Sequence, residues 1–137
     1  MTRTIVDTGA LVALLDRGDF HHTWAVQTFK TLRPPLLTCE SVLAETFHLL
    51  ADLPASCEAL IRLHREEIVK IDFHLELQAK DIWKLLKKYQ YQPMDFADAC
   101  LVRMTEVFSD AVVWTVDSDF KHYRQHGRQT IPLIFPN

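Results

Sequence analysis

Short apolar runs alternate along this chain with apolar stripes that have helical spacing. The runs at about 3–6, 36–37, 67–71, 111–116 and 131–135 predict strands. Stripes with apolar residues three or four apart predict helices over about 9–15, 19–32, 38–52, 56–66, 75–89 and 95–108, and one or two helical turns over 120–126. This alternation predicts a parallel α/β fold, with a central sheet of four to five strands flanked by helices on both faces.

Polar residues at the ends of these elements predict where the helices begin. Asp19 and Thr38 are expected to cap the second and third helices, and Asp95 the helix that runs to about 108. Inside the elements, Phe20, Trp24 and Phe29 are expected to form the inner stripe of the second helix, and Leu77 to lie on the apolar side of the long helix over 75–89. We expect Trp24, Trp83 and Trp114 to lie in the core, Trp114 most clearly because its strand is a continuous apolar run.

Composition limits the classes of protein that remain. The 137 residues, 48% hydrophobic and 24% charged, predict a single globular domain over 1–137. No apolar run approaches the roughly 18 residues of a membrane helix, and the first residues resemble a strand more than a signal peptide, so we expect a cytoplasmic protein with no membrane association. Cys39, Cys57 and Cys100 are odd in number and scattered, which predicts small core residues rather than a disulfide framework or a zinc site.

Acidic residues follow predicted strands directly or lie about one turn inside the next helix. They are Asp7, Glu45, Asp98 and Asp117. The carboxyl ends of parallel strands form the ligand crevice of an open α/β sheet, so these side chains are expected to meet there. Each acid alone has an ordinary explanation as a helix cap, a turn residue or a solvated glutamate. Together at one rim they would repel each other unless protons or a cation neutralised them, which favours a site for a hard metal ion.

The segments around these acids resemble a known family. Asp7-Thr8-Gly9-Ala10-Leu11, the helical Glu45, Met94-Asp95-Phe96-Ala97-Asp98-Ala99 and Thr115-Val116-Asp117-Ser118-Asp119-Phe120 are similar, in order and spacing, to the successive motifs of PIN-domain ribonucleases. The similarity extends from about residue 4 to residue 135. Within the family, the chain most resembles the VapC-like branch, the toxins of type II toxin–antitoxin pairs.

The resemblance implies a function and a set of site residues. It implies an endoribonuclease dependent on Mg²⁺ or Mn²⁺ that forms a homodimer and is silenced by a cognate antitoxin protein. The implied catalytic residues are Asp7, Glu45, Asp98 and Asp117, with the metal held chiefly by Asp7 and Asp98. The supporting positions are the auxiliary acids Asp95 and Asp119 and the hydroxyl residues Thr8 and Thr115.

Basic residues near the fourth acid are candidates for contact with the substrate. Lys121, Arg124 and Arg128 follow Asp117 closely and could meet RNA phosphates near the site. The formal net charge of −3 offers no globally basic surface, although local basic patches remain possible. The choice of RNA over DNA rests on the resemblance and not on these residues.

Other readings remain open at the level of sequence. A housekeeping RNA-processing nuclease of the same family would have the same acids but no antitoxin. A catalytically silent module that binds RNA or protein would lack a core acid, and none is missing. A receiver domain or a haloacid-dehalogenase-like phosphatase needs an acidic pattern after the first strand that Asp7-Thr8-Gly9 does not provide.

Overall fold

A five-stranded parallel sheet forms the centre of the molecule. The computed structural model describes residues 2–137. The sheet has the order β3-β2-β1-β4-β7. Its strands are β1 (Arg3–Val6), β2 (Leu36–Thr38), β3 (Val69–Ile71), β4 (Ala111–Trp114) and β7 (Leu133–Ile134), while β5 (Arg124–Gln125) and β6 (Gln129–Thr130) form a separate antiparallel hairpin. The prediction of a parallel sheet of four to five strands is confirmed.

Within residues 2–137, six α-helices flank the sheet. They are α1 (Thr8–Leu15), α2 (His22–Thr31), α3 (Glu40–Leu49), α4 (Pro54–Arg65), α5 (Leu75–Lys88) and α6 (Phe96–Val107), and a short 3₁₀ helix spans Ser118–Lys121. Trp114 is fully buried, and its ring lies against the rings of Trp24 and Phe29 from α2. None of the helices formed by residues 2–137 is long and apolar enough to cross a membrane.

The strand order places a topological switch between β1 and β4. From β1 the chain moves outward to β2 and β3, and it then returns to the other side of β1 to form β4 and β7. Neighbouring connections leave in opposite directions at such a point, so the carboxyl ends of the two strands border a crevice. Val6 pairs with Trp114, so the segments that begin at Asp7 and Thr115 start side by side.

Two predicted helix caps were wrong. Helix α2 begins at His22, and Asp19 instead accepts a hydrogen bond from the backbone N–H of His21 in the preceding turn. Phe20 therefore lies outside the helix and is 93% exposed, not part of an inner stripe. Thr38 is the last residue of β2, where its hydroxyl donates to the carbonyl of Val6, and Cys39 occupies the cap position of α3.

The apolar faces of the later elements also differ from prediction. Leu77 and Trp83 on α5 are 73% and 61% exposed, because the inner face of this helix is formed by Ile82 and Leu85. The predicted helical turns over 120–126 stop at Lys121, and the hairpin of β5 and β6 follows. Phe120 and Tyr123 are the buried residues of this segment, and a single pair of apolar residues three apart is too short a pattern to distinguish a helix from a turn.

The cysteines lie as the sequence predicted. Cys39 and Cys100 are buried, Cys57 is half-buried, and all three are free thiols. Cys39, at the start of α3, lies near Cys100 on α6, and the interaction of the two thiols lowers the pKa of Cys39. They join the start of α3 to α6, the two helices that carry Glu45 and Asp98.

Candidate active site

Asp7 is a buried carboxylate at the junction of β1 and α1. It is the N-cap of α1, and its Oδ1 accepts a 2.7 Å hydrogen bond from the backbone N–H of Thr8. Its other oxygen, Oδ2, accepts a 2.7 Å bond from the hydroxyl of Thr115. Only 6% of the residue is exposed. Both carboxylate oxygens are therefore held in place, and the side chain is fixed at the end of the central strand.

The segment after β4 brings Asp117 to the same edge. The buried Thr115 hydroxyl donates to Asp7 and accepts a 2.9 Å bond from the backbone N–H of Asp117. Oδ1 of Asp117 in turn accepts from the N–H of Asp119 and caps the short 3₁₀ helix. This chain of bonds makes Thr115 the link between the first acid and the fourth.

Asp98 belongs to a capping box at the start of α6. Its N–H donates to Oδ1 of Asp95 at 2.8 Å, while the N–H of Asp95 donates back to Oδ2 of Asp98 at 3.3 Å. This reciprocal arrangement satisfies backbone donors that a helix start leaves free. The prediction that Asp95 caps this helix is confirmed, and Asp98 has only 9% of its surface exposed.

Tyr123 is a neighbour of Asp98 that sequence reasoning missed. Its buried hydroxyl lies 3.0 Å from Oδ2 of Asp98 and also donates to the carbonyl of Pro93. The spacing of Phe120 and Tyr123 indicates burial, and a buried tyrosine hydroxyl usually requires a partner. The partner itself comes from another part of the chain, so no local pattern could have identified it.

Glu45 lies on the exposed side of α3 and is the least enclosed of the four predicted catalytic acids. Within residues 2–137, no hydrogen bond fixes the side chain of Glu45, but its charge, like that of Asp117, adds to the effect of burial in raising the pKa of Asp7. The structure therefore brings Asp7, Asp98 and Asp117 to one edge of the sheet as partly or fully buried groups. Glu45 borders them from the solvent side.

The buried carboxylates resist ionisation. Burial raises the pKa of Asp7 to about 6, although its bonds from Thr115 and Thr8 oppose the change. Burial, with the charges of Asp95 and Asp7, raises the pKa of Asp98 to about 7. The pKa of Asp117 is also raised, by burial and then by the charges of Asp119 and Asp95. Mutual repulsion of this kind is relieved when a cation is bound between the carboxylates.

The donors at this edge fit a hard divalent cation that retains much of its water. The hydroxyl oxygen of Thr8, directly beside Asp7, is buried and has no hydrogen-bond partner among residues 2–137. Within the same residues, no group of three or more His, Cys, Asp or Glu side chains lies close enough to form a direct ligand set. Mg²⁺ needs only one or two direct carboxylates, with water as its other ligands. Asp7 and Asp98 are the residues suited to that role, and Thr8 offers a further oxygen.

Gly9 allows α1 to start against the segment that follows β4. A Cβ atom on Gly9 would come within 2.5 Å of Cγ2 of Val116. A larger residue would therefore require the Val116 side chain, or the segment that carries it, to shift. The glycine in Asp7-Thr8-Gly9 thus has a packing role in the geometry of the site.

The predicted RNA-contact residues lie close in sequence to Asp117 but differ in their surroundings. Lys121 is exposed, and its ammonium lies 4.1 Å from the ring centroid of Phe135. Arg124 is half-buried, and its guanidinium donates to the carbonyls of Lys121 and Tyr123. Arg128 is exposed beside the turn of the hairpin. Among residues 2–137, none of the three forms an ion pair with the acids, so their contact with substrate stays a prediction.

Known proteins match both the sequence and the fold. The family model described as the PIN domain matches residues 4–125. Among solved structures, the chain is similar to VapC20 from Mycobacterium tuberculosis, a toxin that cleaves the sarcin-ricin loop. The two have a TM-score of 0.76 and 22% identity over 87% of this chain and 93% of that one. None of the curated proteins compared with the sequence matches it. The family match covers most of the chain and includes all four acids at the sheet edge, and the chain therefore belongs to the PIN-domain family.

Proposed function

We propose that this protein is a metal-dependent endoribonuclease, and that it is the toxin of a toxin–antitoxin pair. The observation that carries the proposal is the pair of buried carboxylates, Asp7 and Asp98, whose pKa values are raised to about 6 and about 7. Such acids are costly to bury and ionise, and functional sites are where proteins retain them. Membership of the PIN-domain family supports the nuclease chemistry.

Some of these residues would bind the metal ion, and others would position the attacking water. Asp7 and Asp98 would hold Mg²⁺ or Mn²⁺, which lowers the pKa of bound water and polarises the phosphodiester. Glu45, at the solvent side, and Asp117 would orient the attacking water by hydrogen bonding. Thr115 fixes the carboxylate of Asp7, and Tyr123 contacts that of Asp98. Asp95 and Asp119 add negative charge around the site and strengthen its attraction for a cation.

The toxin assignment is supported by the similarity to VapC20, which is itself a toxin that cleaves an RNA loop. By analogy, we propose that RNA is the substrate, that the protein forms a homodimer and that an antitoxin protein inhibits it. Lys121, Arg124 and Arg128 would contribute phosphate contacts. The homodimer, the antitoxin and the phosphate contacts can each be tested once RNA cleavage has been demonstrated.

The decisive experiment compares the purified wild type with Asp98→Asn on a pool of structured RNAs. Cleavage is followed with Mg²⁺, with Mn²⁺ and with EDTA. We expect metal-dependent cutting by the wild type and a loss of at least about 100-fold in Asp98→Asn, since one of the two principal carboxylates is gone. The asparagine can still accept the hydrogen bond from Asp95, so α6 should remain capped.

A matched control uses an acid at the opposite edge of the sheet. Asp110 precedes β4 and forms an exposed ion pair with Arg3. Asp110→Asn removes one negative charge without touching the crevice, so it should cleave as the wild type does. Equal cleavage by wild type and Asp98→Asn would overturn the proposed site.

A further inference from the structure

The loop between α5 and α6 is fixed at the rim of the acidic crevice. At its first end, the ring of Tyr89 packs edge-on against Tyr123, and its hydroxyl accepts a 2.9 Å bond from the N–H of Arg124. At its other end, the carbonyl of Pro93 accepts from the hydroxyl of Tyr123. The same hydroxyl contacts Asp98, so the loop and the catalytic carboxylate share one anchor.

Tyr91 lies between these two anchors and faces solvent. It is 92% exposed, although a tyrosine ring is large and its apolar surface is costly to leave in water. One residue, Gln92, separates it from Pro93, and Tyr123 bridges Pro93 and Asp98. The Cα atom of Tyr91 is therefore no more than about 15 Å from the carboxylate of Asp98.

At the rim of the crevice, repulsion by the acids favours a contact with a neutral base over a contact with a charged phosphate. Acids crowd the crevice, so a phosphate beside it is repelled wherever the metal does not neutralise them. An aromatic face binds a base without contacting a phosphate, and every base presents such a face. Gln90 and Gln92, which flank Tyr91 in the sequence, are also exposed, and their amides can donate to and accept from base edges.

Two cationic side chains, those of Lys88 and Arg124, lie near the anchors of the loop. The ammonium of Lys88 lies 5.2 Å from the ring centroid of Tyr89 and donates to the carbonyl of Gly127. Arg124 is held next to Tyr123 by its bonds to backbone carbonyls. Lys88 and Arg124 thus place positive charges beside the residues that anchor the loop, where they can attract the phosphates of a strand that passes over Tyr91.

We propose that Tyr91 stacks on an unpaired RNA base next to the phosphodiester held at the crevice, and so helps to select single-stranded or looped RNA. This inference rests on the proposed ribonuclease function. Recognition of RNA commonly uses splayed bases stacked on aromatic side chains, because the bases in loops are free to leave the helix. Tyr91 is then a substrate-positioning residue and makes no contact with the metal.

The test compares Tyr91→Ala, Tyr91→Phe and Tyr91→Trp. A matched control is Phe20→Ala, since Phe20 is equally exposed on the loop before α2. Binding is measured on an unstructured RNA decamer containing 2-aminopurine, in the Asp98→Asn background, by fluorescence. We expect Tyr91→Ala to weaken binding roughly 5- to 100-fold and to reduce the quenching that stacking causes. Tyr91→Phe and Tyr91→Trp should retain both, as should Phe20→Ala.

A cleavage assay distinguishes failure of the stacking inference from failure of the proposed ribonuclease function. If the wild type cleaves RNA and Tyr91→Ala cleaves and binds as well as Phe20→Ala, the stacking role is wrong and the nuclease stands. If the wild type neither cleaves nor binds RNA, both fail. If Tyr91→Ala changes only the oligomeric state by light scattering, the loop contacts protein and the inference is overturned. If Tyr91→Ala has an unchanged Mn²⁺ affinity and a reduced RNA affinity, the stacking inference is supported.

Discussion

The hydroxyl of Thr115 donates a 2.7 Å hydrogen bond to Oδ2 of Asp7, across 108 residues of sequence. The hydroxyl oxygen of Thr115 also accepts a hydrogen bond from the backbone N–H of Asp117, so this one side chain aligns two predicted catalytic acids. Thr115 is fully buried, and its hydroxyl therefore has no water to replace a lost partner.

Removal of this hydroxyl should weaken both the fold and the site. Thr115→Val keeps the shape of the side chain but leaves an oxygen of Asp7 and the N–H of Asp117 without partners. We expect the free energy of unfolding to fall by about 1–3 kcal/mol in urea denaturation. The affinity for Mn²⁺ should fall as well, because the pKa of Asp7 rises further without this bond. Thr115→Ser restores the hydroxyl and should recover the affinity; a Thr115→Val protein with normal Mn²⁺ affinity contradicts the role.

Tyr123 should matter more to the site than its neighbour Tyr89, although both rings are buried. Tyr123→Phe removes the hydroxyl that contacts Asp98 and Pro93, whereas Tyr89→Phe removes only an acceptor for the N–H of Arg124. Each change should cost about 1–2 kcal/mol of stability. Only Tyr123→Phe should also change the Mn²⁺ affinity and the pH at which it is half-maximal, as measured by calorimetry. Equal metal binding by both variants would leave Tyr123 with a purely structural role.

Asp98 should destabilise the metal-free protein at high pH. Its pKa in the folded protein, about 7, is above its ordinary value near 4, so the folded state holds the proton more tightly than the unfolded state. Its contribution to stability is complete below about pH 4 and is lost as the pH rises through about 7. Asp98→Asn cannot ionise, so in EDTA it should exceed the wild type by roughly 1–3 kcal/mol at pH 8 and match it near pH 4. Urea denaturation at pH 4, 6 and 8 measures this, and a difference independent of pH would contradict it.

Binding of the metal should depend steeply on pH for the same reason. Protons compete with the cation for Asp7 and Asp98, whose pKa values are about 6 and about 7. We expect Mn²⁺ affinity to rise on the order of 10- to 100-fold between pH 5.5 and 7.5 and then to level off. Glu58→Gln, which alters an exposed acid paired with Arg62, should show the same profile as the wild type. A flat profile would mean that these carboxylates do not bind the metal.

Gly9 and Gly18 provide a test of close packing at the site. A Cβ on Gly9 would meet Cγ2 of Val116 at 2.5 Å, whereas one on Gly18 would come no nearer than 3.3 Å to the Asp16 side chain. Gly9→Ala should therefore cost about 1–3 kcal/mol from overpacking, partly offset by the higher helix propensity of alanine. It should also reduce Mn²⁺ affinity, as the segments of Asp7 and Asp117 move apart. Gly18→Ala should change neither thermal denaturation nor metal binding appreciably.

The sequence predicted the sheet and the edge that carries the acids, because both follow from local patterns. Apolar runs mark buried strands, and the carboxyl ends of parallel strands meet at one edge. The capping relation of Asp95 and Asp98 is also local, since it depends on residues three apart. These features need no knowledge of which distant segments touch.

The errors and omissions arise where a distant contact decides the outcome. Thr38 has the chemistry of a helix cap, but its hydroxyl bonds to Val6 of the neighbouring strand. Trp83 is apolar enough for the core, but α5 turns Ile82 and Leu85 inward instead. Tyr123 reaches Asp98 only because the fold returns the chain past α6. Such partners are set by tertiary packing, which a single sequence does not reveal.

The hydrogen bond between Thr115 and Asp7 also determines when the site can form during translation. Asp7 leaves the ribosome early, but the strand that ends at Trp114 and the hydroxyl that orients Asp7 follow more than a hundred residues later. A partly translated chain contains the first acid and the second without the geometry to use them. This arrangement of the site therefore cannot form until β4 has emerged and paired with β1.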